Sequence, residues 1–193
     1  MRIFLRQIRP AVVVLALFTV MCGLVYPLVV TAVGQVAFHH RSNGSMLEVK
    51  GQPVGSSLIG QVFVDPKYFH SRPSSAGDGY DGMESSGSNL GPNNPTLLST
   101  VADRVSAYRT ENNLGVGVEV PVDAVTASAS GLDPQISIAN ALLQAPRVAA
   151  ARGISVAAVL DAVTAHTQNR PLGFLGDPGV AVLPLNIALD QVG

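Results

Sequence analysis

The stretch from Gly82 to Asn89, GMESSGSN, contains two glycines five residues apart, which is the glycine spacing of loops that bind the phosphates of nucleotides. In such a loop the second glycine is followed by a lysine, which neutralises phosphate, and then by a serine or threonine, which binds magnesium. Ser88 and the following asparagine occupy those positions here. We therefore interpret the stretch as a polar loop and not as a phosphate-binding loop.

Other residues with catalytic potential form weaker patterns. The sequence ASASG (residues 127–131) lacks the first glycine of the G-x-S-x-G turn that presents a nucleophilic serine. Serines together with His70 or His166 could still form a catalytic triad, because spacing along the chain never excludes one. This keeps a membrane-anchored extracytoplasmic hydrolase as the alternative function, although we predict that the chain has no catalytic residues.

The candidate metal ligands are also poorly arranged. His39 and His40 are adjacent, so on a helix their side chains point to different sides. The acidic residues Asp78, Asp81 and Glu84 lack the alternating ligand pattern of a calcium loop. We predict no metal site.

The elements that carry these residues fall into two parts. Of the 193 residues 47% are hydrophobic and only 13% are charged, and residues 10–38 contain no charge at all. Since roughly 20 helical residues cross the hydrocarbon core of a bilayer, we predict one transmembrane helix over residues 10–36, kinked at Pro27. A cleaved signal peptide is the alternative, with a weak cleavage site at residues 32–34.

The charges that flank the apolar run predict its orientation. Three arginines lie within residues 1–9, whereas only Arg41 and Lys50 follow the run closely. The positive-inside rule then places residues 1–9 in the cytoplasm and residues 37–193 outside it. The outer part has nine basic against thirteen acidic residues, which argues against nucleic acid as a partner.

The first half of the outer part predicts a strand, a long loop and a helix. Ser56–Phe69 has the apolar, β-branched character of a strand. In residues 71–95, seventeen of 25 residues are Ser, Gly, Asn or Pro, which predicts a loop and makes this the best candidate for partner contact. Asn94 and Pro95 are suited to begin a helix, with Leu97, Leu98, Val101, Val105 and Tyr108 on one face.

The second half predicts a strand, two helical regions and a final strand and helix. The alternating valines of Val116–Val122 indicate an edge strand. Asp133 and the proline after it are suited to open a helix that Pro146 splits in two, and Ser155 is suited to cap the next. The end of the chain, from residue 179 on, predicts a short strand followed by a helical turn. This mixed order favours an α+β or mixed α/β domain, anchored by the N-terminal helix.

Five stretches, in this order, resemble one family. They are YFHSRPSS (68–75), SSGSNLGPNNP (85–95), DAVTASASGLDPQIS (123–137), QAPRVAAARG (144–153) and LNIALD (185–190). Together with the N-terminal span they resemble the C subunits of the Kdp potassium-transporting ATPases of bacteria. Ile138 departs from the family pattern, in which proline is common at that position.

The resemblance implies an inner-membrane complex in which a channel-like subunit passes K⁺, a P-type ATPase subunit hydrolyses ATP and a small single-span subunit accompanies them. The C subunit is implied to be a non-catalytic accessory component for assembly and regulation, described as a catalytic chaperone that raises the affinity of the pump subunit for ATP. Gln144 would be the matching nucleotide contact. No tightly bound cofactor is implied, and K⁺ is the transported ion.

The predicted topology conflicts with a nucleotide contact, because it places Gln144 outside the cytoplasm. We therefore favour a structural role, in which the helix packs against the channel-like subunit and the membrane lipid, and the outer domain clamps or screens the potassium entrance. The residues with hydrogen-bonding or packing capacity for turns or a partner are Tyr68, Phe69, Arg72, Ser86, Ser88, Asn89, Gly91, Pro92 and Asn93. A receptor-type sensor is disfavoured, because only nine residues precede the predicted span.

Overall fold

A computed structural model describes residues 2–192 of the chain, with side chains described from residue 6 on. The chain forms two compact units, residues 1–46 and residues 47–193. Each unit is described by itself below.

The first unit is a long apolar helix. It begins as α1 (Arg2–Val20), passes through one wider π-helical turn (Met21–Val25), and continues as α2 (Tyr26–Ala37), followed by the short α3 (His39–Ser42). The segment Arg6–Ala37 is long and apolar enough to cross a membrane, and the rest of the chain buries none of its most apolar stretch. The helix thus exposes an apolar surface on all sides, as a membrane-spanning helix does.

The wide turn explains how the helix accommodates Pro27. Proline lacks an amide hydrogen, and its ring collides with the carbonyl group four residues earlier in a regular α-helix. The turn Met21–Val25 instead bonds the amide of Tyr26 to the carbonyl oxygen of Met21, five residues back. The helix is therefore locally wider just before Pro27 and continues beyond it, and the kink predicted there stays a prediction.

The second unit is a mixed domain of helices and short strands, which confirms the predicted fold class. Its elements are β1 (Met46–Val49), β2 (Gln52–Ser56), α4 (Pro95–Glu111), α5 (Val122–Val125), β3 (Gln135–Ile136), α6 (Ile138–Arg152), α7 (Val156–Ala165), β4 (Thr167–Gln168), a 3₁₀ turn (Pro171–Gly173), β5 (Gly179–Ala181) and α8 (Val182–Leu189).

The small central sheet packs against α6 and α8 through β5. Strands β1 and β2 pair with each other, whereas β5 pairs antiparallel with both β3 and β4. Ile136 lies opposite Val180, and Thr167 pairs with Val180 from the other side. The hydrophobic core covers this sheet with residues of α6, α7 and α8, and it contains Phe69 from a long irregular segment.

Two of the three predicted helix starts are confirmed. The side chain of Asn94 accepts a hydrogen bond from the amide of Thr96 at the start of α4, and Ser155 caps α7 in the same way. The start predicted at Asp133 is wrong: α6 begins at Ile138, capped by Ser137. Two of the residues before α6, Gln135 and Ile136, instead form β3, and pairing with β5 provides hydrogen-bond partners for their backbone.

The predicted break at Pro146 is also wrong, since α6 runs through it from Ile138 to Arg152. Pro146 and Leu142, whose carbonyl group loses its amide partner, are both exposed. Water can therefore bond that carbonyl, and the missing hydrogen bond costs less than it would in the core.

The strands predicted over Ser56–Phe69 and Val116–Val122 do not form. Residues 57–69 contain no strand, residues 116–118 form a turn, and Val122 is already the first residue of α5. Val116 is exposed, so the alternating valines do not cover a core. Helix α4 likewise buries only Tyr108 of its predicted apolar face, and Leu98 is exposed.

Candidate functional site: a backbone segment held by two buried amides

Side chains of α6 and α8 hold the backbone at the end of the segment predicted to be a strand. We call residues 61–73 the extended segment. The side chain of Asn186, on α8, accepts a hydrogen bond from the amide of Phe69 at 2.8 Å and donates one to the carbonyl oxygen of Phe69 at 2.9 Å. One side-chain amide thus replaces a neighbouring strand, which is the usual partner for both groups.

Gln144, on α6, does the same for the next residue. Its Oε1 accepts from the amide of His70 at 2.8 Å, and its Nε2 donates to the carbonyl oxygen of His70 at 3.1 Å. Nε2 also donates to Oδ1 of Asn140, and Oε1 also accepts from Arg147, both at 2.8 Å. An amide side chain has two donor hydrogens and two acceptor lone pairs, so Gln144 has no hydrogen-bonding capacity left.

We call Asn186 and Gln144 the amide pair. Each is only 1% exposed. Buried polar groups are costly unless they are bonded, so the amide pair and the backbone of the extended segment satisfy each other. The structure therefore places the predicted nucleotide contact in the interior, bonded to its own chain.

Helix α6 positions Gln144 by its spacing. Asn140, Gln144 and Arg147 follow one another at intervals of four and three residues, so they share one face of a helix that is otherwise rich in alanine and leucine. This polar stripe is visible in the sequence and indicates a polar contact on one face of the helix, but the sequence analysis did not use it. Asn186 gave a similar signal, as a single amide among the apolar residues of α8.

Arg147 extends the same attachment along the segment. Its guanidinium donates to four oxygen atoms: the carbonyl groups of Pro66 and Tyr68 at 2.6 and 3.1 Å, and the side chains of Asn112 and Gln144 at 3.0 and 2.8 Å. Burial lowers the pKa of Arg147, whereas the carboxylate of Glu111 opposes this shift. The arginine thus links α4, α6 and the extended segment.

A second set of buried polar groups holds α6 in place. The hydroxyl of Tyr108 donates to Oδ1 of Asn140 at 2.8 Å, and the Asn140 amide donates to the carboxylate of Asp123 at 2.9 Å. The same carboxylate accepts from the backbone and the hydroxyl of Ser137, both at 2.7 Å. Burial raises the pKa of Tyr108, so its hydroxyl stays a donor.

Tyr68, predicted as a partner residue, belongs to the same arrangement. Its hydroxyl donates to Asp190 at 3.0 Å, and the Arg152 guanidinium lies 5.2 Å from the centre of its ring. Arg152 donates to Asp190 and to the carbonyl oxygen of Lys67, at 2.9 and 2.7 Å. Phe69, also predicted, is fully buried in the core.

A pocket of about 390 Å³ opens beside Gln144. His70 lies in its lining, with Nδ1 2.7 Å from the carboxylate of Glu111 and Nε2 3.1 Å from the carbonyl oxygen of Asp65. Burial lowers the pKa of His70, and the nearby Arg147 lowers it further, while Glu111 raises it. Because both ring nitrogens face acceptors of the chain, neither is directed at a serine hydroxyl in this structure.

Arg72 forms another part of this pocket. It donates to the carboxylate of Asp133 at 2.8 Å, while its buried Nε has no hydrogen-bond partner. The hydroxyl of Tyr80 donates to the carbonyl oxygen of Arg72 at 2.7 Å, and burial raises the pKa of Tyr80 to about 12. Among residues 2–192 no group of three or more His, Cys, Asp or Glu residues is placed to hold a metal ion.

The serine-rich loop, residues 74–94, holds the other predicted partner residues. Ser86 donates its amide to the carbonyl oxygen of Ser130 at 3.0 Å, where the loop lies against residues 127–131. The remaining predicted residues are exposed and lie outside the pocket lining: Ser88, Asn89, Gly91, Pro92 and Asn93. The loop enters no helix before Pro95, unlike a phosphate-binding loop, which leads straight into one. The structure therefore separates the predicted set into an internal group and an exposed group.

These observations define a class of protein: a mixed α/β domain with hydrogen-bonded polar side chains beside its hydrophobic core, on a chain that also carries an N-terminal helix able to span a membrane. Residues 8–191 match the family model described as KdpC: K+-transporting ATPase, c chain.

Named relatives agree with that match. The chain is 60% identical to the Potassium-transporting ATPase KdpC subunit of Mycobacterium tuberculosis (strain ATCC 25618 / H37Rv), over 97% of this chain and 99% of the relative. It is 54% identical to the subunit of the same name from Caulobacter vibrioides (strain NA1000 / CB15N), over 96% and 93%. The chain belongs to the KdpC family, which confirms the resemblance in the sequence.

Proposed function

We propose that this chain is a non-catalytic accessory subunit of an ATP-driven potassium uptake complex, required for assembly and for regulation of K⁺ import. The observation that carries the proposal is the match to the c chains of K+-transporting ATPases over nearly the whole length. The two units fit this role, since a fully exposed apolar helix needs lipid or partner helices around it.

The proposed partners are the channel-like subunit, the P-type ATPase subunit and the small single-span subunit. The helix packs against the channel-like subunit in the bacterial inner membrane, with the N-terminus in the cytoplasm. Three arginines within residues 1–9 support this orientation. Residues 47–193 then face the outside, where they clamp or screen the potassium entrance.

We also propose that regulation of ATP turnover acts through assembly of the complex. A chaperone-like increase in ATP affinity by direct contact would use Gln144, but this side chain is buried and all four of its hydrogen-bonding positions are occupied. A nucleotide would have to displace the backbone of His70 to reach it. Any effect of Gln144 on ATP affinity therefore acts through the fold of this domain or through the partners.

The test is to purify the tagged chain from cells that express all four subunits, in mild detergent, and to assay K⁺-stimulated ATPase activity. The proposal predicts recovery of the partners, and loss of activity when this chain is omitted. A chain that elutes alone would contradict the proposal. The purified chain without its partners, in the same detergent, separates the two views of Gln144. If it bound ATP, and Gln144→Ala abolished that binding without lowering the stability of the chain, the direct contact would be established.

A further inference from the structure

A short loop between β4 and β5 exposes an unusual concentration of apolar side chains. We call residues 171–176, PLGFLG, the apolar tip. Leu172 is 81% exposed, Phe174 is 70% exposed and Leu175 is 47% exposed. Single exposed apolar residues are ordinary on a protein surface, whereas three large ones within four residues form a patch that indicates contact with something else.

The apolar tip is built to hold these side chains outward. At its base, Arg170 donates to the carboxylate of Asp177 at 2.9 Å. Within it, the amides of Gly173 and Leu175 donate to the carbonyl oxygens of Arg170 and Pro171, at 3.0 and 3.1 Å. These bonds close the loop on itself.

The backbone of the tip also departs from what its residues prefer. Leu172 has a φ of 54°, in the left-handed region that a leucine rarely adopts. Such a conformation persists only where the surrounding structure imposes it, and it is common at contact sites. Here it turns the most exposed leucine of the tip away from the domain.

We propose that the apolar tip inserts into an apolar pocket on the outer surface of a protein subunit of the same complex. The inference rests on the proposed function, because membership of the complex supplies the protein partner. The charge of the tip favours protein over lipid: Arg170 and Asp177 pair and leave no net charge, whereas loops that bind anionic membranes carry an excess of Lys or Arg. An apolar centre with a polar pair at its edge is the composition of a protein contact.

Photo-crosslinking in the assembled complex tests the proposal. A photoreactive benzoylphenylalanine replaces Phe174, and in a matched control it replaces Val116, which is 88% exposed and lies between two glycines in the sequence. We expect illumination to join position 174, and not position 116, to a partner subunit. Crosslinks from position 174 only to lipid, only to a second copy of this chain, or to nothing in an intact complex would overturn the proposal. Failure of the chain to join any complex would overturn the proposed function as well.

A double variant gives an independent measurement. Leu172→Ser combined with Phe174→Ser should make this chain dissociate on the order of tenfold faster from the purified complex, because two central contacts are lost. Val116→Ser should leave dissociation unchanged. Circular dichroism of each variant shows whether the domain is still folded, as expected for exposed positions. Equal dissociation of wild type and double variant would contradict the proposal.

Discussion

The extended segment and the serine-rich loop are neighbours in sequence, and both lack regular secondary structure, yet they are held in opposite ways. Side chains of α6 and α8 bond the extended segment, at both backbone groups of Phe69 and of His70. The second half of the serine-rich loop leaves most of its side chains in solvent. The comparison shows that irregular backbone can be as firmly attached as a strand, and that, of these two regions, only the serine-rich loop is available to adapt to a partner.

The largest expected effect comes from removing one member of the amide pair. Asn186→Leu keeps the size of the side chain but leaves the buried amide and carbonyl groups of Phe69 without partners. Each such group costs about 1–3 kcal/mol, so the free energy of unfolding should fall by about 2–6 kcal/mol. Chemical denaturation of the full-length chain in mild detergent, followed by circular dichroism, measures it.

A matched control separates the buried amide from amides in general. Gln191→Leu changes an exposed amide just beyond α8, and it should alter the free energy of unfolding by less than about 0.5 kcal/mol. If Asn186→Leu were as mild as Gln191→Leu, the extended segment would not depend on the amide pair.

The next effect concerns the geometry of Arg147. Arg147→Lys keeps the positive charge, but a single ammonium group cannot reach the carbonyl groups of Pro66 and Tyr68 together with the side chains on α4 and α6. We expect a loss of about 2 kcal/mol in the same denaturation experiment. Arg104→Lys, at an arginine that donates to the carbonyl oxygen of Val125, should cost less than about 1 kcal/mol. Equal losses for the two variants would contradict the role given to the guanidinium of Arg147.

A smaller effect should appear as a pH dependence at His70. Burial and Arg147 lower its pKa in the folded chain below the ordinary value of 6.5, so the unfolded chain binds more protons in acid. The stability that the neutral imidazole of His70 contributes is therefore fully present above about pH 6.5, and it is lost as the pH falls through the lowered pKa. His70→Gln should remove this component, which is seen by subtracting the variant from the wild type across the pH range. A flat difference would show that protonation of His70 is not linked to folding.

The smallest effect on stability is expected in the serine-rich loop. Asn93→Ala, at an exposed position, should change the free energy of unfolding by less than about 0.5 kcal/mol. A loss of K⁺-stimulated activity in the assembled complex without a loss of stability would identify the loop as a partner contact. A loss of stability as large as that of Asn186→Leu would instead remove the distinction between the two regions.

Local signals made part of this fold predictable. The apolar run without charge predicted the N-terminal helix, and Asn94 and Ser155 marked two helix starts because capping depends on the residue itself and its near neighbours. The mixed fold class followed from the order of such elements.

The wrong predictions have a common physical cause: residues distant in the sequence determine the conformation of those segments. Ser56–Phe69 has the composition of a strand, but α6 and α8 provide side-chain amides instead of a neighbouring strand. Residues 135–136 became β3 because β5, more than 40 residues later, pairs with them. The role of Gln144 within the domain could not be read from its neighbours, because it depends on the backbone of His70, 74 residues away.

Hydrogen exchange of the backbone amides of Phe69 and His70 tests the central claim most directly. The full-length chain in mild detergent would be followed in deuterated buffer, with the amides of residues 88–91 and of Asn93 as the internal comparison. The account predicts that the two amides exchange as slowly as those of the α6 core, although they belong to no strand or helix, and that Gln144→Leu accelerates His70. Exchange of Phe69 and His70 as fast as in the serine-rich loop would show that the amide pair does not hold the extended segment.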